Sequence, residues 1–172
     1  MKRVLIFNRT VDPIIRICQI IRAYSTAYGM LIGLCGLFTT YAQPTVNQVC
    51  AALLISLCFP AGVATLNDWA HHEVDKLTRP NRQYPLTLLK TLAFLLITST
   101  AVTAVWSGWV TSLWLLMSLG WGVLYSQVKS LPLGDNLVRG MVTVSLCLAC
   151  ASISSGWGLS ALSWQVAIGL GC

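Results

Sequence analysis

Apolar stretches of about 16 to 20 residues alternate with short polar segments along this chain, and this pattern predicts membrane-spanning helices. Five complete spans are predicted, over residues 23–40, 49–66, 86–105, 110–125 and 137–154. A sixth apolar run starts near Leu162 and reaches Cys172, which is about half of a span. We therefore expect an all-α, polytopic transmembrane protein that forms one domain over residues 1–172, with five full spans and a partial sixth.

Helix-breaking residues refine this map. Ser107 and Gly108 predict a break between the third and fourth spans. Pro60 lies inside the second span, where neighbouring helices can shield the carbonyl group that it leaves without a hydrogen bond. Small residues recur on the first span at near-helical spacing, at Gly29, Gly33 and Gly36. They predict close packing of this span against another helix, and a cavity wall is the alternative.

The composition supports a membrane protein. Apolar residues make up 56% of the chain and charged residues only 9%, whereas about a quarter of a soluble domain is charged. A soluble globular protein, a disordered tail and a disulfide-stapled secreted module are thereby excluded. The cysteines lie in or beside apolar runs, so even the C-x-x-C formed by Cys147 and Cys150 is interpreted as a pair of small apolar residues.

All sixteen charged residues fall in or beside alternate connections, within residues 1–22, 67–90 and 129–139. Lys and Arg outnumber Asp and Glu by eleven to five, so this face and the N-terminus are predicted to be cytoplasmic. The net charge of +6 is explained by that bias, and no nucleic-acid partner is expected. Tryptophans concentrate toward the opposite, charge-free face, as in an interfacial aromatic belt; they are Trp106, Trp109, Trp114, Trp121, Trp157 and Trp164.

A dense polar segment, residues 67–85, follows the second span. If the helix continues past Leu66, then Asn67, His71 and Asp75 share one side, because they are four residues apart. Amide and carboxylate oxygens on one face can hold a hard divalent cation, which in turn binds a diphosphate. An ordinary cytoplasmic loop of mixed charge is the alternative.

Two further features of this segment bear on ligands. Arg79 and Arg82 are candidates for bidentate contacts with phosphate oxygens. His71 and His72 are interpreted as solvated or hydrogen-bonded loop histidines, and ligation of a tetrapyrrole metal is the alternative.

The polar segment resembles the first aspartate-rich motif of the UbiA superfamily of intramembrane prenyltransferases, N-D-x-x-D-x-x-x-D followed by K-x-N-R-P-N-R-P-x-P. It is most similar to the branch that contains chlorophyll synthases and archaeal ether-lipid prenyltransferases. Residues in register with the motif are Asn67, Asp68, Asp75, Lys76, Arg79, Pro80, Asn81, Arg82 and Pro85. A second stretch, Tyr125 to Asn136, is similar to the family's Y-S-x-x-L-K…G-N segment, and Arg22 is similar to an arginine near the family's first helix.

The resemblance implies a ring of helices around a central cavity, of which this chain would form the N-terminal half. It implies Mg²⁺ bound by aspartate-rich motifs and a polyprenyl diphosphate as the prenyl donor. By the same resemblance the catalytic residues would be Asn67, Asp68 and Asp75, with Asn67, Asp75 and also His71 as candidate Mg²⁺ ligands. The implied substrate-binding residues are Arg22, Lys76, Arg79, Arg82, Tyr125, Lys129 and Asn136.

Two departures from the family pattern change the expected function. His71 stands where the family has an aspartate, and imidazole is a softer, uncharged ligand that suits Mg²⁺ poorly. No acidic residue follows Asp135, so the family's second aspartate-rich motif has no counterpart in these 172 residues. We therefore expect a non-catalytic membrane subunit, or a lipid- or tetrapyrrole-binding element, of a larger membrane complex. A photosynthetic complex is one such case.

The alternative function is that of a Mg²⁺-dependent prenyltransferase, which moves a polyprenyl group from its diphosphate to a lipophilic acceptor. In either case membrane lipids are expected to surround the chain. Other membrane-protein subunits are expected to cover the side on which the ring of helices is incomplete.

Overall fold

The apolar stretches form helices, and the structure, a computed structural model, describes residues 13–73, 84–128, 134–155 and 159–172. Within these ranges the chain is all-helical and contains no strand, so the predicted all-α class is confirmed for this part of the chain. Its seven helices are α1 (Pro13–Ile20), α2 (Ala23–Thr40), α3 (Val46–Ala70), α4 (Leu86–Ser107), α5 (Trp109–Val128), α6 (Gly134–Ala151) and α7 (Ala161–Gly171).

Two of these helices, α3 with 25 residues and α4 with 22, are long and apolar enough to cross a membrane. The apolar parts of α5, α6 and α7 are shorter, between 10 and 17 residues in the part of the chain that is described. Length and composition therefore support membrane association through α3 and α4.

The predicted limits of α4 and α5 agree with the structure to within three residues, whereas those of α3 and α6 need correction. α2 has the predicted limits, but α3 extends beyond residues 49–66 at both ends. It begins earlier because Thr45 forms a capping box, in which Thr45 and Gln48 each accept a hydrogen bond from the other's backbone N–H. It ends later, so that residues 67–70, which were assigned to the polar connection, are helical.

The fifth predicted span was wrong at both ends, since α6 begins at Gly134 and stops at Ala151, and residues 152–155 form a turn. Hydroxyl groups in this turn bond to nearby carbonyl groups, from Ser152 Oγ to Ala149 O at 2.8 Å and from Ser155 Oγ to Ala151 O at 3.0 Å. Serine hydroxyls of this kind compete with the backbone ladder. The predicted break after α4 is confirmed at Gly108, whose φ of 129° is one that residues with a side chain rarely adopt.

Helix α2 lies between α3 and α6. Helix α4 packs on α3, α5 packs on α6, and α4 and α5 contact each other, while α7 contacts both α6 and α2. The core lies mainly between α2, α3 and α6, and its fully buried residues include Leu37, Ile55 and Leu148.

Glycines allow α2 to approach its neighbours closely, as predicted. A side chain at Gly33 would collide with Ser56 of α3, and one at Gly36 would collide with the backbone carbonyl of Cys147 of α6. Gly29 likewise leaves room for the ring of Pro60. The predicted close packing of the first span is therefore confirmed, and α3 and α6 are the partners.

Cys147 and Cys150 are both free and buried at the contact between α2 and α6. The Cys150 sulfur lies 3.5 Å from the hydroxyl of Ser56 on α3. Their surroundings agree with the interpretation of this C-x-x-C as small side chains that pack in the core.

Hydroxyl groups join the start of α7 to the end of α2. Ser163 is fully buried, and its Oγ lies 2.9 Å from Thr39 Oγ1, 3.1 Å from Thr40 Oγ1 and 2.9 Å from Ser160 Oγ. Ser160 also accepts a hydrogen bond from the backbone N–H of Ser163, which caps α7. This cluster satisfies polar groups that would otherwise be buried without partners.

Candidate functional site

The start of α2 and the end of α3 lie side by side and place two predicted site residues in contact. Arg22 Nη2 donates a hydrogen bond to Asp68 Oδ1 at 2.7 Å, although the residues are 46 positions apart. The Arg22 side chain is 43% exposed and that of Asp68 is 19% exposed. The structure therefore brings together the arginine before the first span and an aspartate of the polar motif.

This contact follows from how the chain folds locally. A short connection joins α2 to α3, so the two helices run in opposite directions and the first turn of one meets the last turn of the other. Arg22 itself has a left-handed backbone, with φ 50° and ψ 60°, at the junction between α1 and α2. Thr26 stabilises this turn, because its N–H bonds to Arg22 O at 3.1 Å and its hydroxyl bonds to Ile21 O at 2.7 Å.

An ion pair between partly exposed groups contributes little to stability, about 0–1 kcal/mol. Its consequence here concerns orientation. A guanidinium group has five N–H donors, so contact with one carboxylate oxygen leaves others available. Asp68 fixes the position of the Arg22 side chain where α2 begins and α3 ends. The rest of the guanidinium group remains open to a ligand.

Asn67 and His71 occupy successive turns, as the predicted spacing requires. The backbone N–H of His71 bonds to Asn67 O at 3.0 Å, which is the helical i to i+4 contact. Asn67 is exposed and His71 is half-buried. The third member of this series, Asp75, lies outside the described residues.

The other predicted substrate-binding residues are only partly placed. Asn136 is exposed in the first turn of α6, and Tyr125 lies on α5 with its side chain outside the described part. Outside the described residues lie Lys76, Arg79, Arg82 and Lys129. Among the described residues, no hydrogen bond or ion pair joins the polar end of α3 to Asn136.

A second cation at this end of the molecule was not predicted as part of the site. Lys90 Nζ of α4 lies 5.7 Å from the centre of the Trp69 ring of α3, which is a cation–π contact. Such contacts contribute about 0.5–1 kcal/mol at exposed positions. A lysine one turn inside an apolar helix and a tryptophan at the polar end of its neighbour were the signals in the sequence.

The described residues do not by themselves form the Mg²⁺ site that the resemblance implies. Within the described part of the chain, no three His, Cys, Asp or Glu side chains are grouped so that they could hold a metal ion. Asp68 Oδ1 already accepts a hydrogen bond from Arg22, whose neighbouring positive charge opposes binding of a cation there, while the guanidinium has more N–H donors than this pair uses. The described geometry therefore supports contacts with an anion through Arg22 better than it supports cation binding.

Comparison of this chain with protein-family models, with curated proteins and with solved structures gives no match.

Proposed function

We propose that this chain is an integral membrane protein of the UbiA type that binds the diphosphate headgroup of a polyprenyl lipid without transferring the prenyl chain. It would act as a subunit of a larger membrane complex. The observation that carries this proposal is the contact between Arg22 and Asp68, because it joins two parts of the resemblance that are distant in sequence.

Arg22 provides the positive charge and the N–H donors that binding of a diphosphate requires. Hydrogen bonds from a guanidinium to phosphate oxygens are charge-assisted and geometrically specific. Asp68 acts as a positioning residue, since it accepts a hydrogen bond from Nη2 and restricts the rotamers of the arginine. Lys90 adds a second positive charge on the neighbouring helix α4.

A binding role fits these residues better than catalysis. Departure of a diphosphate requires a metal ion or equivalent positive charge on the leaving oxygens. Asp68 is paired with Arg22, and position 71 carries an imidazole where the family has a carboxylate. Transfer of the prenyl group with Mg²⁺ is the competing function, and it would depend on Asp75.

The membrane topology is part of the proposal. Charges lie on alternate connections, so the end of the helix pair that carries Arg22 and Asp68 would face the cytoplasm together with the N-terminus. Helices α4 and α5 expose large apolar side chains, such as Phe94 at 70% and Leu116 at 65%. Membrane lipids or helices of other subunits would cover these side chains.

The test measures binding and transfer separately on the purified full chain in detergent micelles. Geranylgeranyl diphosphate is titrated with and without Mg²⁺, and a radiolabelled sample is incubated with lipid acceptors to detect transfer. We expect saturable binding and no transfer. Arg22→Gln should weaken binding about tenfold or more, because it removes charge-assisted hydrogen bonds, and Asp68→Asn should weaken it less.

Arg139→Gln is the matched control, since it removes the same positive charge from an exposed position on α6 that the resemblance does not include. Equal losses in Arg22→Gln and Arg139→Gln would show that only net charge matters and would contradict the proposed site. Transfer that requires Mg²⁺ and disappears in Asp75→Asn would establish the prenyltransferase instead.

A further inference from the structure

A cleft lies at the start of α3, at the opposite end of α2 and α3 from Arg22 and Asp68. Its volume is about 310 Å³, which is at the small end of the range for small-molecule sites. Three segments that are distant in sequence form it: the first turn of α3, the last turn of α4 and the turn after α6. Its polar and aromatic lining consists of Thr45, Asn47, Gln48, Trp106, Ser107 and Ser154.

The lining carries no charged side chain. A phosphate or carboxylate ligand would need a positive group to compensate for the loss of its hydration. The cleft therefore suits a ligand that is polar and neutral.

Several hydrogen-bonding groups of the lining have no protein partner among the described residues. Gln48 Oε1 accepts hydrogen bonds from Thr45, but its Nε2 group forms none. The side-chain amide of Asn47 and the hydroxyl of Ser154 are likewise without one. Donors and acceptors of both kinds thus face one cleft, which matches a ligand with several hydroxyl groups.

An aromatic ring and apolar side chains stand beside these polar groups. Trp106 lines the cleft and is 69% exposed, so a face of its indole is available to the C–H groups of a sugar ring. Its neighbour in sequence, Val105, is 74% exposed, and Val46, next to Asn47, is 77% exposed. Exposed apolar side chains at this level are suited to contact with acyl chains.

We propose that this cleft binds a neutral hexosyl group, supplied by the headgroup of a membrane glycolipid. Asn47, Gln48 and Ser154 bond to its hydroxyl groups, and Trp106 stacks on its ring. The lipid source rests on the proposed membrane location, whereas hexosyl recognition does not. The site is also separate from Arg22 and Asp68, which lie at the opposite end of α2 and α3.

The experiment titrates the purified full chain in detergent micelles with three lipids that share the same dioleoyl chains. The probes are monoglucosyl diacylglycerol, phosphatidylcholine and phosphatidylglycerol, and native mass spectrometry counts the retained lipid. We expect the glucosyl lipid to bind about tenfold more tightly than either phospholipid. Trp106→Ala and Asn47→Ala should each weaken its binding about three- to tenfold.

Both variants alter exposed side chains, so they should fold like the parent chain. Trp109→Ala is the matched control, since Trp109 is 67% exposed near Trp106 but does not line the cleft. Methyl glucoside is added as a competitor of the glucosyl lipid. Its binding to the parent chain, but not to Asn47→Ala, would show that the cleft also recognises a free sugar.

Equal retention of all three lipids, preference for phosphatidylglycerol, or an equal loss in Trp109→Ala would overturn the proposal. The hexosyl proposal can be tested independently of the diphosphate proposal, because Arg22 lies at the opposite end of α2 and α3 from the cleft. Arg22→Gln should therefore not affect binding of the glucosyl lipid. The membrane location is tested separately by extraction of membranes with alkaline carbonate. Release of the chain would contradict that location, and this result does not depend on the micelle titration.

Discussion

Gly36→Ala tests whether the contact between α2 and α6 depends on the absence of a side chain. A Cβ at position 36 would lie far inside van der Waals contact with the backbone oxygen of Cys147, and 3.2 Å from its sulfur. Cys147 is fully buried inside α6, so its carbonyl group cannot move without the helix. The added methyl group must therefore push α2 and α6 apart.

The magnitude follows from two opposing terms. Separation of the helices by about 1 Å forfeits a large part of their dispersion contacts, and overpacking of this kind costs about 1–3 kcal/mol. Alanine is favoured over glycine inside a helix by about 0.5–1 kcal/mol. We expect the free energy of unfolding to fall by about 1–2 kcal/mol.

Gly120→Ala is the matched control, because a Cβ at that helical position meets nothing within 4 Å. It should be neutral or stabilise the protein by about 0.5–1 kcal/mol. Reversible unfolding in mixed detergent and SDS micelles, followed by circular dichroism, compares the two variants. Equal stability of Gly36→Ala and Gly120→Ala would refute the inferred contact.

A second pair of variants separates backbone from side-chain collisions. A Cβ at Gly33 would meet the hydroxyl of Ser56, so Ser56→Ala should restore part of the stability lost in Gly33→Ala. At Gly36 the nearest atoms belong to the backbone, so Cys147→Ala should not restore Gly36→Ala. Rescue at both positions or at neither would contradict this distinction.

Two further predictions concern the hydroxyl cluster and the topology. Ser163→Ala removes the buried hydroxyl that bonds to Thr39, and should lower the free energy of unfolding by about 1–2 kcal/mol. In the same unfolding assay Ser112→Ala removes a hydroxyl whose hydrogen bond is local, to Gly108 O just before α5, so it should change the free energy of unfolding by less, and equal effects would contradict the prediction. For topology, single cysteines at the exposed positions Gln43 and Asn136 should react with an impermeant thiol reagent from opposite sides of the membrane. The exposed native cysteines are first replaced by serine, and labelling of both positions from one side would exclude the proposed topology.

Helix positions were largely determined by the sequence, because they depend on local patterns. The limits of α2 and the break at Gly108 follow from runs of apolar residues and from a residue that tolerates positive φ. The early start of α3 was missed because the capping box at Thr45 lies in polar sequence, and its continuation through Asn67 was considered only as a condition for the same reason. Polarity alone does not end a helix whose backbone groups still find partners.

Contacts between helices were decided only by the tertiary structure. The spacing of Gly33 and Gly36 indicated a close neighbour, but α3 and α6 became that neighbour only through their arrangement around α2. The pairing of Arg22 with Asp68 likewise depends on two helices that run in opposite directions.

The hexosyl cleft shows the same limit most clearly. It joins Asn47, Trp106 and Ser154, which are separated by 59 and 48 positions in sequence. Each of them alone is an ordinary polar or aromatic residue at the end of an apolar stretch. The periodicity of a sequence determines which face of a helix is apolar, but distant segments meet only where packing of the whole bundle brings their ends together.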